Sequence, residues 1–206
     1  MAVLWFLLCV KMSKISFEVS YKMTFQTFFF DTYAGYFLQV LPVCLTVGIL
    51  YWILILKKEK RSAARVFFVM FLTGLVSLTL FLNTYNEIYY RLFYHRANQR
   101  FSSIFSFDWS GYFQVDFYKH LNRERRMNLL VYIPYGILAC LSQKKTDYAL
   151  VICSGFLCSL LIECIQPFVN RAFDINDVLL NTAGAILGVF IVILGRKIRG
   201  VIQRIV

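Results

Sequence analysis

Residues 148–166 read YALVICSGFLCSLLIECIQ, nineteen positions with a single charge at Glu163. A helix needs about 20 predominantly apolar residues to cross the hydrocarbon core of a bilayer, and this block has that length and character. Further blocks of the same kind lie on both sides of it. Val178 to Leu194 carries no charge, nor does Ala34 to Leu56, and Val66 to Leu82 is uncharged and just long enough. Asn128 to Leu141 is shorter and contains Pro134 and Gly136. Taken alone it reads as a re-entrant segment, but the distribution of basic residues favours a crossing. The predicted fold is therefore all-α, a polytopic transmembrane helical bundle with about five membrane-spanning helices.

Composition agrees with that reading. Of 206 residues, 59% are hydrophobic, and the mean hydropathy is +0.63, more apolar than is usual for a soluble domain. The formal charge of +11 would suit a nucleic-acid partner if the bases formed one surface. They fall instead in short runs between apolar blocks, as expected beside anionic lipid, so no nucleic-acid partner is expected. The six cysteines form no CxxC pair, and Cys44, Cys140, Cys153, Cys158 and Cys164 sit inside apolar blocks. They read as small apolar residues, and neither a metal nor a cofactor is implied.

Basic residues concentrate on the cytoplasmic side of short loops. The connection from Lys57 to Arg65 holds five bases in nine residues, the next such turn holds Lys144 and Lys145, and the tail holds Arg196, Lys197, Arg199 and Arg204. If the Asn128 block crosses, all three lie on one side, with the N-terminus outside and the C-terminus cytoplasmic. Arg123, Arg125 and Arg126 dissent from the opposite end. The chain then divides into an N-terminal segment (1–33), two transmembrane helices (34–82), an aromatic extracytoplasmic loop (83–127), three further helices (128–195) and a basic cytoplasmic tail (196–206). Met12 and Met23 are alternative starts, and no function is built on residues 1–22. The loop carries Tyr85, Tyr89, Tyr90, Phe93, Tyr94, Trp109, Tyr112, Phe113, Phe117 and Tyr118 with both histidines, His95 and His120. An interfacial aromatic belt is the favoured reading, and a lid over an outer site is the alternative.

Chemistry concentrates between residues 155 and 188. Gly155, Ser159, Glu163 and Gln166 share one helical face, and Asp177, Asn181, Gly184 and Gly188 share one face of the next helix. Small residues at this spacing let helix backbones approach closely, so the stripes are expected to face each other. Helix rise puts Glu163 and Asn181 roughly 6–8 Å inside the intervening turn. An acid within a membrane segment costs at least ~2.5 kcal/mol at the centre and less near an end, which makes Glu163 a functional candidate. The plainer explanation is a carboxylate satisfied by Asn181, Asn128 or Arg171 that locks the bundle. Asp174 suits the N-cap of the last helix and Asp177 its third position. Gly184 and Gly188 lie within a membrane helix and do not make a nucleotide loop.

The same residues carry a resemblance. Residues 128–136 read NLLVYIPYG, which resembles the N-x-x-x-F-I-P-F-G segment of the VanZ-like family, with Tyr132 and Tyr135 where phenylalanine is usual. Residues 159–166, SLLIECIQ, are similar to its S-x-x-x-E-x-x-Q helix. Residues 171–184, RAFDINDVLLNTAG, are similar to its R-x-x-D-I-x-D-x-x-x-N-T-x-G signature. The resemblance implies a bacterial cell-envelope membrane protein, since the family is named for a protein associated with resistance to the glycopeptide antibiotic teicoplanin. It also implies that residues 128–195 form the VanZ-like core. Asn128, Glu163, Arg171, Asp174, Asp177 and Asn181 are the candidate ligand-binding residues, and Gly155, Ser159, Gly184 and Gly188 the candidate packing residues.

Three functions fit these residues. One is a non-enzymatic protein that binds an amphiphile at the outer leaflet, a membrane lipid, an amphiphilic glycopeptide or a cell-wall lipid precursor. Another is a membrane-embedded enzyme acting on a lipid-linked phosphate or ester, in which Glu163, Asp174 and Asp177 hold a hard cation or one acts as a base. The third is a subunit of an envelope complex with a membrane-protein partner. No residue is assigned a catalytic role.

Overall fold

A computed structural model describes residues 25–55, 63–95, 111–116, 118, 122–169 and 171–205. Residues 1–24, the Lys57–Arg61 run, Trp109, Phe117 and His120 lie outside them. The described residues form seven α-helices: α1 (Phe25–Asp31), α2 (Tyr33–Leu54), α3 (Ala63–Leu80), α4 (Leu82–Tyr94), α5 (Arg123–Ser142), α6 (Tyr148–Ile165) and α7 (Ile175–Ile205). A 3-10 turn, Gln166–Val169, follows α6. Two short strands, β1 (Gly111–Tyr112) and β2 (Phe173–Asp174), pair in parallel.

Among the described residues four stretches are long and apolar enough to cross a membrane: Tyr33–Leu54, Ala63–Leu80, Tyr148–Val169 and Ile175–Val201. Their outer faces are apolar and exposed, with Trp52 at 60%, Leu161 at 61% and Phe190 at 60%. In water such a surface would be a large liability; in lipid it is the expected exterior. Local signals set the helix starts. Thr32 accepts the Gly35 N–H before α2, Asn122 the Arg125 N–H before α5, and Asp147 the Leu150 N–H before α6.

The Asn128 block is longer than its apolar run suggests. Capped by Asn122, α5 starts one turn earlier and continues through Pro134 to Ser142, 20 residues in all. Its first turn, Arg123–Arg126, is charged, so about 16 residues, roughly 24 Å at 1.5 Å per residue, remain for the hydrocarbon core. Helix α5 is not among the four apolar candidate spans, where about five were expected. Neither Pro134 nor Gly136 ends it. Arg65 Nε donates to the Ser142 carbonyl at one end (3.0 Å) and the Asn128 side chain lies beside Asp177 at the other. The ends of α5 are thus level with the start of α3 and the start of α7.

Helix α5 runs parallel to α7, with α6 antiparallel to both. A methyl added at Gly184 would strike the Leu129 carbonyl, one at Gly188 the Ile133 carbonyl, and one at Gly136 the Ala185 carbonyl. The expected meeting of the two stripes therefore holds only in part. Ser159 meets Asn181, and Gly155 lies against Ala185 and Tyr135, but Gly184 and Gly188 turn to α5. The buried centre includes Tyr132, Tyr135, Cys140, Val151, Ile162 and Ala185.

Part of the 83–127 segment is helical. Directly after Phe81, α4 turns Tyr89 and Phe93 onto Phe29, and Tyr90 onto Phe30, at ring separations of 5.3–5.6 Å. Tyr89 also donates its hydroxyl to the Gln39 carbonyl of α2. These aromatics pack within the chain, whereas Phe113 and Tyr118 remain largely exposed.

Candidate functional site

Three helix ends converge at one end of the bundle: the start of α5, the end of α6 and the start of α7. The link from α6 to α7 is short and tightly bonded. Gln166 opens the 3-10 turn and its carbonyl accepts the Arg171 N–H at 3.1 Å. Strand β2 then pairs with β1, Gly111 opposite Phe173 and Tyr112 opposite Asp174, and Phe113 stacks on Phe173 at 5.2 Å. Helix α7 begins at the next residue.

Asp174 is the N-cap of α7. Its Oδ1 accepts the Asn176 backbone N–H at 2.8 Å and the Asn176 side-chain amide at 2.8 Å. In a capping box the third helical residue would reach back to the N-cap N–H. Here that residue is Asp177, but the Asp174 N–H goes to Glu163 Oε2 on α6, at 3.0 Å. Glu163 is 2% exposed, and its partner is thus the backbone of the α7 cap rather than the Asn181, Asn128 or Arg171 side chain. Asp177, relieved of the capping bond, lies beside the Asn128 side chain of α5.

A cavity of about 300 Å³ opens above these residues, lined by Asn122, Glu124, Arg125, Gln166, Arg171, Ala172, Asp174 and Asp177. Arg171 reaches across to α3, where Nη1 donates to the Thr79 carbonyl at 3.2 Å, and its Nη2 lies 3.8 Å from Glu124. That pair is solvated on both sides and contributes little to stability. Arg125 bonds Asp116 at 2.6 Å, and Tyr112 donates to the other Asp116 oxygen at 2.8 Å. The bond to Asp116 raises the Tyr112 phenol above its ordinary range, so the hydroxyl stays a donor.

Of the six candidate residues, Arg171, Asp174 and Asp177 line the cavity. Glu163 of α6 accepts from the Asp174 backbone, and Asn128 of α5 lies beside Asp177. Asn181 does not join them: it lies one turn deeper, where its Nδ2 donates to Ser159 Oγ at 2.8 Å. Its Oδ1 and the Tyr132 hydroxyl are buried without partners. Among the described residues no group of three His, Cys, Asp or Glu side chains is placed to hold a metal ion, Glu163, Asp174 and Asp177 included.

Asn176 is the residue that sequence reasoning missed. It is fully buried, its side chain accepts the Asp116 N–H at 2.9 Å and donates to the Gln114 carbonyl at 2.9 Å. It fastens the 111–116 segment to the cap of α7. An asparagine two positions after a capping aspartate was the available signal; its distant partners carry no mark in the sequence.

A sequence model of the VanZ/LLP1 family matches residues 43–196, well over half of the chain. No curated protein and no solved structure matches it.

Proposed function

Since the chain belongs to the VanZ/LLP1 family of membrane proteins, we propose that it is a non-enzymatic, outer-face binding protein for the polar head of an envelope amphiphile. Candidate ligands are a cell-wall lipid precursor and a lipid-bearing glycopeptide of the teicoplanin type, which would make the chain a determinant of glycopeptide resistance. The observation that carries the reading is the mixed-charge cavity between α5, α6 and α7, where Arg171 faces Asp174 and Asp177 at the ends of membrane helices. Guanidinium and carboxylates side by side suit a head with both charges and hydroxyl groups, and the apolar helix faces below suit acyl chains. The proposed orientation places this end outside, away from Lys144, Lys145 and the basic tail.

The test is expression of the chain and its variants in a glycopeptide-susceptible bacterium. Asp177→Asn and Arg171→Gln should abolish protection against the lipid-bearing antibiotic while the protein stays at wild-type level in the membrane fraction. Unchanged protection by both variants at normal levels would sink the proposal.

A further inference from the structure

The opposite end of the bundle holds a second hollow, about 630 Å³ and wide open, between α2, α3 and the α5–α6 turn. Its rim is basic: Arg65 at the start of α3, and Lys144 and Lys145 in the turn. Among the described residues its lining has one acid, Asp147, whose Oδ1 caps α6 by accepting the Leu150 N–H at 3.1 Å. The turn itself is braced. Gln143 accepts the Asp147 N–H, Thr146 Oγ1 donates to the Cys140 carbonyl, and Arg196 of α7 donates to Thr146 and Tyr148 at 3.0 Å. Arg65 is set by its bond to the Ser142 carbonyl.

The floor differs from the rim. Tyr51, Phe68, Val69 and Leu150 line it. Of these Leu150 is 59% exposed, and Trp52 and Phe67, next in sequence to Tyr51 and Phe68, are 60% and 49% exposed. Cations at the level where helices end, above an apolar slot open to the bilayer, are complementary to one chemistry. We infer that this cavity is a binding site for an anionic phospholipid, its phosphate between Arg65, Lys144 and Lys145 and an acyl chain along Phe68 and Leu150. Basic pockets between transmembrane helices bind such heads by charge and donor geometry. A free anion would use the rim and leave the slot empty, so the occupant is the lipid.

Native mass spectrometry of the full-length protein in non-ionic detergent tests this, using phosphatidylglycerol and phosphatidylcholine of identical chains. Wild type should retain one phosphatidylglycerol with at least about tenfold preference, and Lys144→Gln/Lys145→Gln should lose that preference. Both lysines are exposed, so the double variant should fold; unchanged thermal unfolding without lipid verifies this. Lys197→Gln/Arg199→Gln, which removes exposed charge near this end but outside the cavity, should retain the lipid. Equal retention of both lipids, or equal loss in the two double variants, would overturn the site. Displacement of the lipid by millimolar inorganic phosphate would overturn the assignment to a lipid.

Discussion

Glu163 caps a helix to which it does not belong: its Oε2 accepts the Asp174 N–H at 3.0 Å, across the turn that joins α6 to α7. A backbone hydrogen bond of this kind contributes about 0.5–1.5 kcal/mol, and its loss strands a buried donor. Glu163→Ala should therefore lower the unfolding temperature in detergent and speed hydrogen exchange at the Asp174 amide. Glu163→Gln keeps an acceptor in place and should cost less. If the alanine variant exchanges and unfolds like wild type, the trans-capping bond is not what holds this turn.

Asn176 joins that turn to the segment before α5. Removing its side chain deletes the acceptor for the Asp116 N–H and the donor to the Gln114 carbonyl, at a cost of about 1–3 kcal/mol. In Asn176→Ala, amide exchange should rise across residues 111–116 and stay unchanged along α6. Uniform acceleration over the bundle would instead mean that Asn176 supports global folding.

The glycines of α7 divide into two classes that one measurement separates. Gly184 and Gly188 lie against carbonyls of α5, whereas Gly195 and Gly200 have nothing within 4 Å of an added methyl. Gly184→Ala or Gly188→Ala should force α5 and α7 apart and cost about 1–3 kcal/mol or more. Gly195→Ala should be neutral or stabilising by about 0.5–1 kcal/mol, because glycine is a poor helix former. Comparable thermal unfolding of all three variants would contradict the close packing of α5 on α7.

Much of this was legible in one dimension. The uncharged blocks from Ala34 to Leu194 each became a helix because length and apolarity alone decide whether a segment suits a bilayer. Asp174 was readable as a cap because capping is local. Glu163 was readable as unusual, but not its partner, because the sequence does not say which face of α7 meets α6. The turn of Gly184 and Gly188 toward α5 was hidden for the same reason: a small-residue stripe shows that something comes close, not what. Asn181 was placed with the acids by helix rise, yet rotation about the axis gave it to Ser159. Where α4 lies depends on Phe29 and Phe30, distant residues that no periodicity connects to Tyr89.

Orientation can be tested at the two cavities. The bases that oppose the proposed direction are Arg123, Arg125 and Arg126. Of these, Arg125 is bound to Asp116 at 2.6 Å and only 13% exposed, so the fold explains its presence at that end. Lys144 and Lys145 have no such explanation, being exposed in a short turn where basic residues carry the topological signal. In a cysteine-free background, Glu124→Cys should react with a membrane-impermeant maleimide on intact cells. Lys145→Cys should react only after the membrane is permeabilised. The reverse pattern would turn the protein over and move the Asp174–Asp177 cavity to the cytoplasmic face. Labelling of Lys145→Cys alone on intact cells would do the same, and an outer-leaflet ligand would then be excluded.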